Sequence, residues 1–153
     1  MAITYELPPF LKGTKVKRQK YARWLHRRAQ SHARRDSRRR KKNVPPSEYK
    51  QAIHRAVLDS KGHDFYTGEL LEWCLIGKYD NDKAEREGLE YRRDLALLPT
   101  VDHENPEAQD PVFRICGMQT NDCKSNLTVG ELKDWCKKFL KAQGREIISA
   151  GSS

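Results

Sequence analysis

The stretch "LPTVDHENPE", Leu98 to Glu107, carries a short apolar run straight into an acid and an imidazole, Asp102 and His103, and then turns through Asn105 and Pro106. An imidazole exchanges its proton near neutral pH, with an unperturbed pKa of about 6.5, so a histidine at such a place can serve as a general base. The carboxylate beside it is a hard oxygen donor. Alone, an Asp-His pair is most often a surface loop or a structural hydrogen bond, and its meaning depends on what the rest of the chain brings to it. A second polar cluster, "TNDCKSNLT", follows with Asn121 and Lys124. Taken singly, Asn121 reads as a helix cap or turn residue and Lys124 as a solvated cation.

The elements around these residues set their placement. Leu95 to Val101 reads as a buried strand that delivers Asp102 and His103, and "PVFRICGM" as a second strand with Val112, Phe113, Ile115 and Cys116 as its apolar positions. Thr128 with Glu131 three residues on is a capping-box pattern. It opens a helix with Leu132, Trp135, Cys136 and Leu140 on one face, ending near Gly144. The order is strand, loop, strand, helix. Adjacent strand residues point to opposite faces, so Asp102 and His103 share a site only at a distorted strand end, and the turn at Asn105 and Pro106 suits that.

Upstream, "NVPPSEYKQAIHRAVLDSKG" predicts a helix with Ser47 as N-cap, Tyr49, Ile53, Ala56 and Val57 on one face, and Gly62 as the stop. "HDFYTGELLEWCLI" predicts two short extended pieces about a tight turn at Thr67 and Gly68. "GKYDNDKAEREGLEYRRD" reads as a polar loop. Its Asp80, Asp82 and Glu85 lack the central glycine of a calcium loop.

Charge is distributed unevenly over the 153 residues. Lys12 to Lys42 holds fifteen Lys or Arg against one acid, Asp36, a net +14; since the whole chain is +9, the remainder stands at −5. A basic segment on a mildly acidic body is the distribution expected of a polyanion binder, because each neutralised phosphate releases condensed counterions. Within "KYARWLHRRAQSHARR", Tyr21, Trp24, Leu25, Ala29 and His32 recur at helical spacing and form a seam expected to dock on the body. Lys20, Arg23, Arg27, Arg28, Arg34, Arg35 and Arg38 are the expected nucleic-acid contacts.

A membrane-surface helix would carry a larger apolar face, and no stretch approaches the roughly 20 apolar residues of a membrane span. The start "MAITYELPPF" has neither the charged opening nor the apolar centre of a signal peptide, so no membrane association and a cytoplasmic location are expected. Cys74, Cys116, Cys123 and Cys136 include no C-x-x-C pair, which makes reduced thiols the expectation over a structural zinc site.

The segments "TVDHENP" and "TNDCKSNLT", joined by a connecting strand, together resemble the HNH nucleases, a family built on a ββα-metal fold. There a strand ends in Asp-His and an Asn or His arrives from the start of a helix in an N-x-x-K setting. Asp102, His103, Asn121 and Lys124 match those positions, and the resemblance covers roughly Phe65 to Leu140. It implies metal-assisted hydrolysis of a nucleic-acid phosphodiester, with DNA favoured over RNA. His103 would be the general base, and Asp102 and Asn121 would hold one divalent cation, Mg2+ or Mn2+, with Lys124 in support. Many relatives hold the turn before the first strand with two zinc-binding C-x-x-C knuckles. Here the turn is "DFYTGE", and packing of Phe65, Tyr66 and Trp73 is expected to hold it instead. The residue that braces the loop between the strands has no clear match, and Asn105 or Asp110 could serve.

The expected fold class is therefore α+β: a basic, mainly helical arm at 1–46, an HNH-like ββα-metal nuclease core at 47–145, and a flexible tail at 146–153. The alternative is a non-catalytic DNA- or RNA-binding protein that uses the basic arm.

Overall fold

A computed structural model describes residues 4–40, 43–108, 110 and 112–145. The expected tail, 146–153, lies outside them. The fold is α+β, with six α-helices and a two-stranded antiparallel sheet among the described residues.

Helix α1, Arg18–Arg40, is rich in Arg, Lys, Gln and Ala, all good helix formers, and its 23 residues span about 35 Å at 1.5 Å each. Tyr21, Trp24, Leu25, Ala29 and Ala33 recur every three or four residues and are buried. They pack on helix α2, Pro46–Ser60, through Tyr49, Ile53, Ala56 and Val57, the face that the sequence predicts. The helix begins differently from expectation. Pro45 is the N-cap residue and Pro46 the first helical position, so Ser47 already lies inside the helix. A proline there loses nothing, since its missing N–H would have had no intrahelical acceptor. Lys61, at φ 50°, and Gly62, at φ 90°, then stop α2 in left-handed backbone.

One apolar cluster joins this helix pair to Leu71, Trp73 and Ile76 and to Val101, Phe113 and Ile115 of the sheet. The segment expected as an arm, 1–46, and the body, 47–145, therefore share a core. Burying a side chain such as Leu25 or Ile53 stabilises by roughly 1.5–3 kcal/mol, so α1 is a wall of the body rather than an appendage to it.

The polar stretch expected as a loop folds instead into two short helices, α3 (Asn81–Glu87) and α4 (Leu89–Asp94). Asp80 caps the first by accepting from the Lys83 amide, and Gly88, at φ 60°, separates the two. Tyr91 secures them, donating its hydroxyl to the Lys78 carbonyl and accepting from the Asp80 amide. Strand β1 runs Pro99–His103 and β2 runs Phe113–Gly117, paired from Pro99 opposite Gly117 to His103 opposite Phe113. β1 starts later than expected because Leu95 to Leu97 close the end of α4 as a turn, with the Leu98 amide bonded back to Leu95. Val112 lies outside β2 and is exposed, whereas Phe113, Ile115 and Cys116 are buried.

Helix α5, Met118–Lys124, follows β2 without a loop. Helix α6, Val129–Ala142, opens on the expected capping box of Thr128 and Glu131, with both reciprocal bonds made. Its apolar stripe does not reach the core: Trp135 is 57% and Phe139 51% exposed, their rings stacked on each other at 5.5 Å. No helix among the described residues is long and apolar enough to cross a membrane.

Candidate active site

At the end of β1, Asp102 and His103 are both buried, yet their neighbours differ. Asp102 Oδ2 accepts from the Tyr66 hydroxyl at 2.6 Å and pairs with Lys124 Nζ at 3.0 Å. Lys124 is fully buried and also donates to the His103 carbonyl at 3.0 Å, so one ammonium ties α5 to the last two residues of the strand. The expected solvated reading of Lys124 gives way to a structural one. Burial and the bond to Asp102 push the Tyr66 hydroxyl well above its ordinary pKa, which keeps it a donor.

His103 turns the other way, towards α1. Its Nε2 lies 3.2 Å from Asp36 Oδ2, and the same oxygen accepts from the Tyr49 hydroxyl of α2 at 2.6 Å. A carboxylate oxygen only accepts, which assigns a proton to Nε2. The imidazole is packed among His32 (ring centroids 4.9 Å apart) and Phe113 (4.9 Å). Burial, then the neighbouring His103, Arg35 and Arg28, bring the His32 pKa down to about 3, so that ring is neutral; the Asp36 carboxylate opposes the shift. Sequence reasoning placed Asp36 only as a lone acid in a basic run. Its isolation among fifteen cations, on the buried side of an amphipathic helix, was the available signal.

Asp102, His103 and Asn121 line a common cavity of about 240 Å³, together with Asp36, Arg35 and Arg39. Strand alternation sends the two neighbours to different elements, and the strand end lets both border the same space. Asn121 comes from α5, seven residues long, which is locked to β1 by Lys124. Asn105 and Asp110 are exposed and do not line that cavity. Asn105 shapes its own turn by accepting from the Glu107 amide at 3.0 Å. The loop between the strands is also closed by Glu104, whose carboxylate meets Arg114 at 3.0 Å and whose amide donates to the Val112 carbonyl.

The "DFYTGE" turn is held by a different residue from those expected. The buried Asp64 accepts from the Tyr66 and Thr67 amides through Oδ1 and from the Gly117 amide through Oδ2 at 2.8 Å. It joins the turn to the end of β2. Gly117 allows this close fit, since a Cβ there would lie 2.7 Å from the Ala96 carbonyl. Of the three expected packing residues, Trp73 is buried, with its indole on the Gly62 carbonyl, and Tyr66 serves Asp102. Phe65 is 48% exposed under the Arg114 guanidinium.

Asp102 and Asn121 line one cavity, and a carboxylate with an amide oxygen is a hard donor set that suits Mg2+ or Mn2+ with several waters retained. Both described side-chain contacts of Asp102 fall on Oδ2. Among the described residues no three His, Cys, Asp or Glu side chains are grouped for a metal. The buried Cys116 thiol is pushed up to about 12, chiefly by burial, and is an inert core group.

Along α1, Arg23, Arg27, Arg34, Arg35 and Arg38 are exposed, while Lys20 and Arg28 are half-buried. Arg35 and Arg39 connect this row to the cavity. In comparisons with protein-family models, curated proteins and solved structures, nothing matches the chain.

Proposed function

We propose that the chain is a metal-dependent endonuclease of the HNH type, acting on DNA, with the ββα unit of β1, β2 and α5 as its catalytic core. The observation that carries the reading is the shared cavity of Asp102, His103 and Asn121, bordered by the Arg35 and Arg39 guanidiniums. Phosphodiester hydrolysis needs a deprotonated water and a place for the charge that grows on the leaving oxygen. His103 takes that proton as the general base, and Asp36, bonded at Nε2, stabilises the imidazolium that forms. Arg35 and Arg39 attract the phosphate to the cavity and offset its charge. A divalent cation held by Asp102 and Asn121 would stabilise the leaving oxygen as a Lewis acid. Lys124 anchors Asp102, and the exposed α1 arginines grip the phosphate backbone without reading sequence.

A second reading, a nucleic-acid-binding protein that does not cleave, draws on the same Lys124, which already neutralises Asp102. Incubation of supercoiled plasmid and of labelled RNA with the protein in Mg2+, Mn2+ or EDTA separates the two. The expected result is nicking of DNA that EDTA abolishes and that His103→Ala lowers by roughly 10²–10⁴ with DNA binding retained. Full activity of His103→Ala, or cleavage indifferent to metal, overturns the assignment.

A further inference from the structure

A cavity of about 550 Å³ opens between α1 and the segment Ile76 to Tyr79, away from Asp102 and His103. Lys20, Arg23, Arg27 and Arg28 from the helix and Lys78 from the facing segment border it, and no carboxylate does. Among the described residues none of these five cations has an acidic partner; Lys20 donates to the Cys74 carbonyl at 2.8 Å and so aligns its charge along this wall. Crowding is strong enough to pull the Arg28 guanidinium below its ordinary pKa, through burial first and Arg35 second. Trp24 forms part of the same wall, and among the described residues its buried indole Nε1 has no acceptor. Five cations without an acidic partner around a single space describe a site for an anion rich in acceptor oxygens.

Shared lining residues also link this cavity to the catalytic one. Arg27 and Ser31 border both it and a groove of about 540 Å³ farther along α1, and Arg35 and Arg39 border both that groove and the cavity of Asp102 and His103. The shared residues make one cationic track along the helix. Trp24 and Asp36 stand twelve positions apart on α1, about 18 Å at 1.5 Å per residue. One strand rises about 3.4 Å per nucleotide along the duplex axis and also winds around it, so its successive phosphates stand farther apart than the rise and 18 Å is about three steps.

We propose that the cavity walled by Lys20, Arg23, Arg27, Arg28, Lys78 and Trp24 is a phosphate-binding site. It holds a backbone phosphate of the strand being cut, about three nucleotides from the phosphodiester at Asp102 and His103. The site's preference for phosphate rests on its own geometry, and the identity of the ligand as a nucleic-acid strand rests on the nuclease reading above. Binding there sets the register of the substrate, as a grip spread evenly over the helix would not.

The test follows the Trp24 indole N–H signal by ¹H–¹⁵N NMR of the full chain, identified by its loss in Trp24→Phe. The chain is titrated separately with inorganic pyrophosphate and with a 16-base-pair duplex in Ca2+. The signal is expected to shift and saturate with both. Arg28→Gln and Arg23→Gln, with unchanged circular dichroism, should each weaken duplex binding by about tenfold and lower the salt slope by about 0.9. Single methylphosphonate substitutions along the duplex should weaken binding at two separated places about three nucleotides apart, and Arg28→Gln should erase the effect only at the place remote from the cut. An indole signal that neither ligand moves overturns the site, even if the duplex is bound and cleaved. A signal moved by pyrophosphate in a chain that neither binds nor cuts DNA supports the anion site and removes the nuclease reading instead. Sensitivity to methylphosphonate at one place only overturns the assignment of register.

Discussion

Asp102 and His103 are neighbours in the chain and on β1, yet each belongs to a different part of the molecule. Asp102 is secured within a short span of sequence, by Tyr66 before the strand and Lys124 at the end of α5. His103 is secured across 67 positions, by Asp36 of α1, itself held by Tyr49 of α2. The acid half is a compact unit around the sheet; the imidazole half exists only because a basic helix is packed into the core. A site divided in this way predicts that α1 supports the imidazole as a structural wall, and that damage to the two halves has different signatures.

The largest effect is expected on the acid side. Lys124→Met keeps the length of the side chain and removes an ammonium that is fully buried against Asp102. Breaking such a pair leaves a buried carboxylate without its counter-charge, a loss of about 3–5 kcal/mol. Urea unfolding in EDTA should show that loss, and Lys124→Met with Asp102→Asn should recover a large part of it, since the double variant leaves no unpaired charge. A loss under about 1 kcal/mol in the single variant would mean that the two groups are not coupled as their 3.0 Å separation requires.

On the imidazole side a smaller effect is expected, in activity more than in stability. Asp36→Asn is isosteric and still accepts from Tyr49, but its amide no longer stabilises an imidazolium. The kcat for DNA cleavage should fall by roughly 10–100-fold while KM stays within about twofold, the pattern of a group that orients another without touching substrate. If Asp36→Asn lowers the melting temperature and leaves kcat alone, Asp36 is a structural contact and the comparison between the halves fails on that side.

The same division explains what could be read from the chain. Asp102, His103, Asn121 and Lys124 lie within one strand-loop-strand-helix pattern, so they could be singled out together from their order. Asp36 could not, because nothing local to "RRDSRRR" says that its carboxylate meets an imidazole 67 positions later. Periodicity found the seams of α1 and α2, since burial of Tyr21, Leu25, Ile53 and Val57 follows from spacing alone. It did not find what the stripe of α6 packs on: Trp135 and Phe139 have the spacing of a core face and remain exposed. Polarity concealed α3 and α4, whose helicity comes from the Asp80 cap and good helix formers rather than from an apolar face. The Asp64 turn was missed because its bond to the Gly117 amide joins residues 53 positions apart.

The smallest effect is expected from His32, whose ring lies against His103 on the imidazole side. Among the described residues its buried Nδ1 has no partner, and its folded pKa of about 3 lies far below the ordinary 6.5. The unfolded chain therefore binds this proton first as pH falls. The stability linked to His32 is complete above about pH 6.5 and is lost progressively towards pH 3, at about 1.4 kcal/mol per unit. Between pH 6.5 and 5 that amounts to about 2 kcal/mol. His32→Leu fills the site with an apolar group that cannot take a proton, so its stability should depend less on pH over this interval. Urea denaturation of both proteins at pH 7, 6 and 5 should show the wild type losing about 2 kcal/mol more than the variant. Equal losses would mean that water reaches the ring or that His103 moves aside on protonation. In either case the α1 side of the site would be looser than the side built on Lys124.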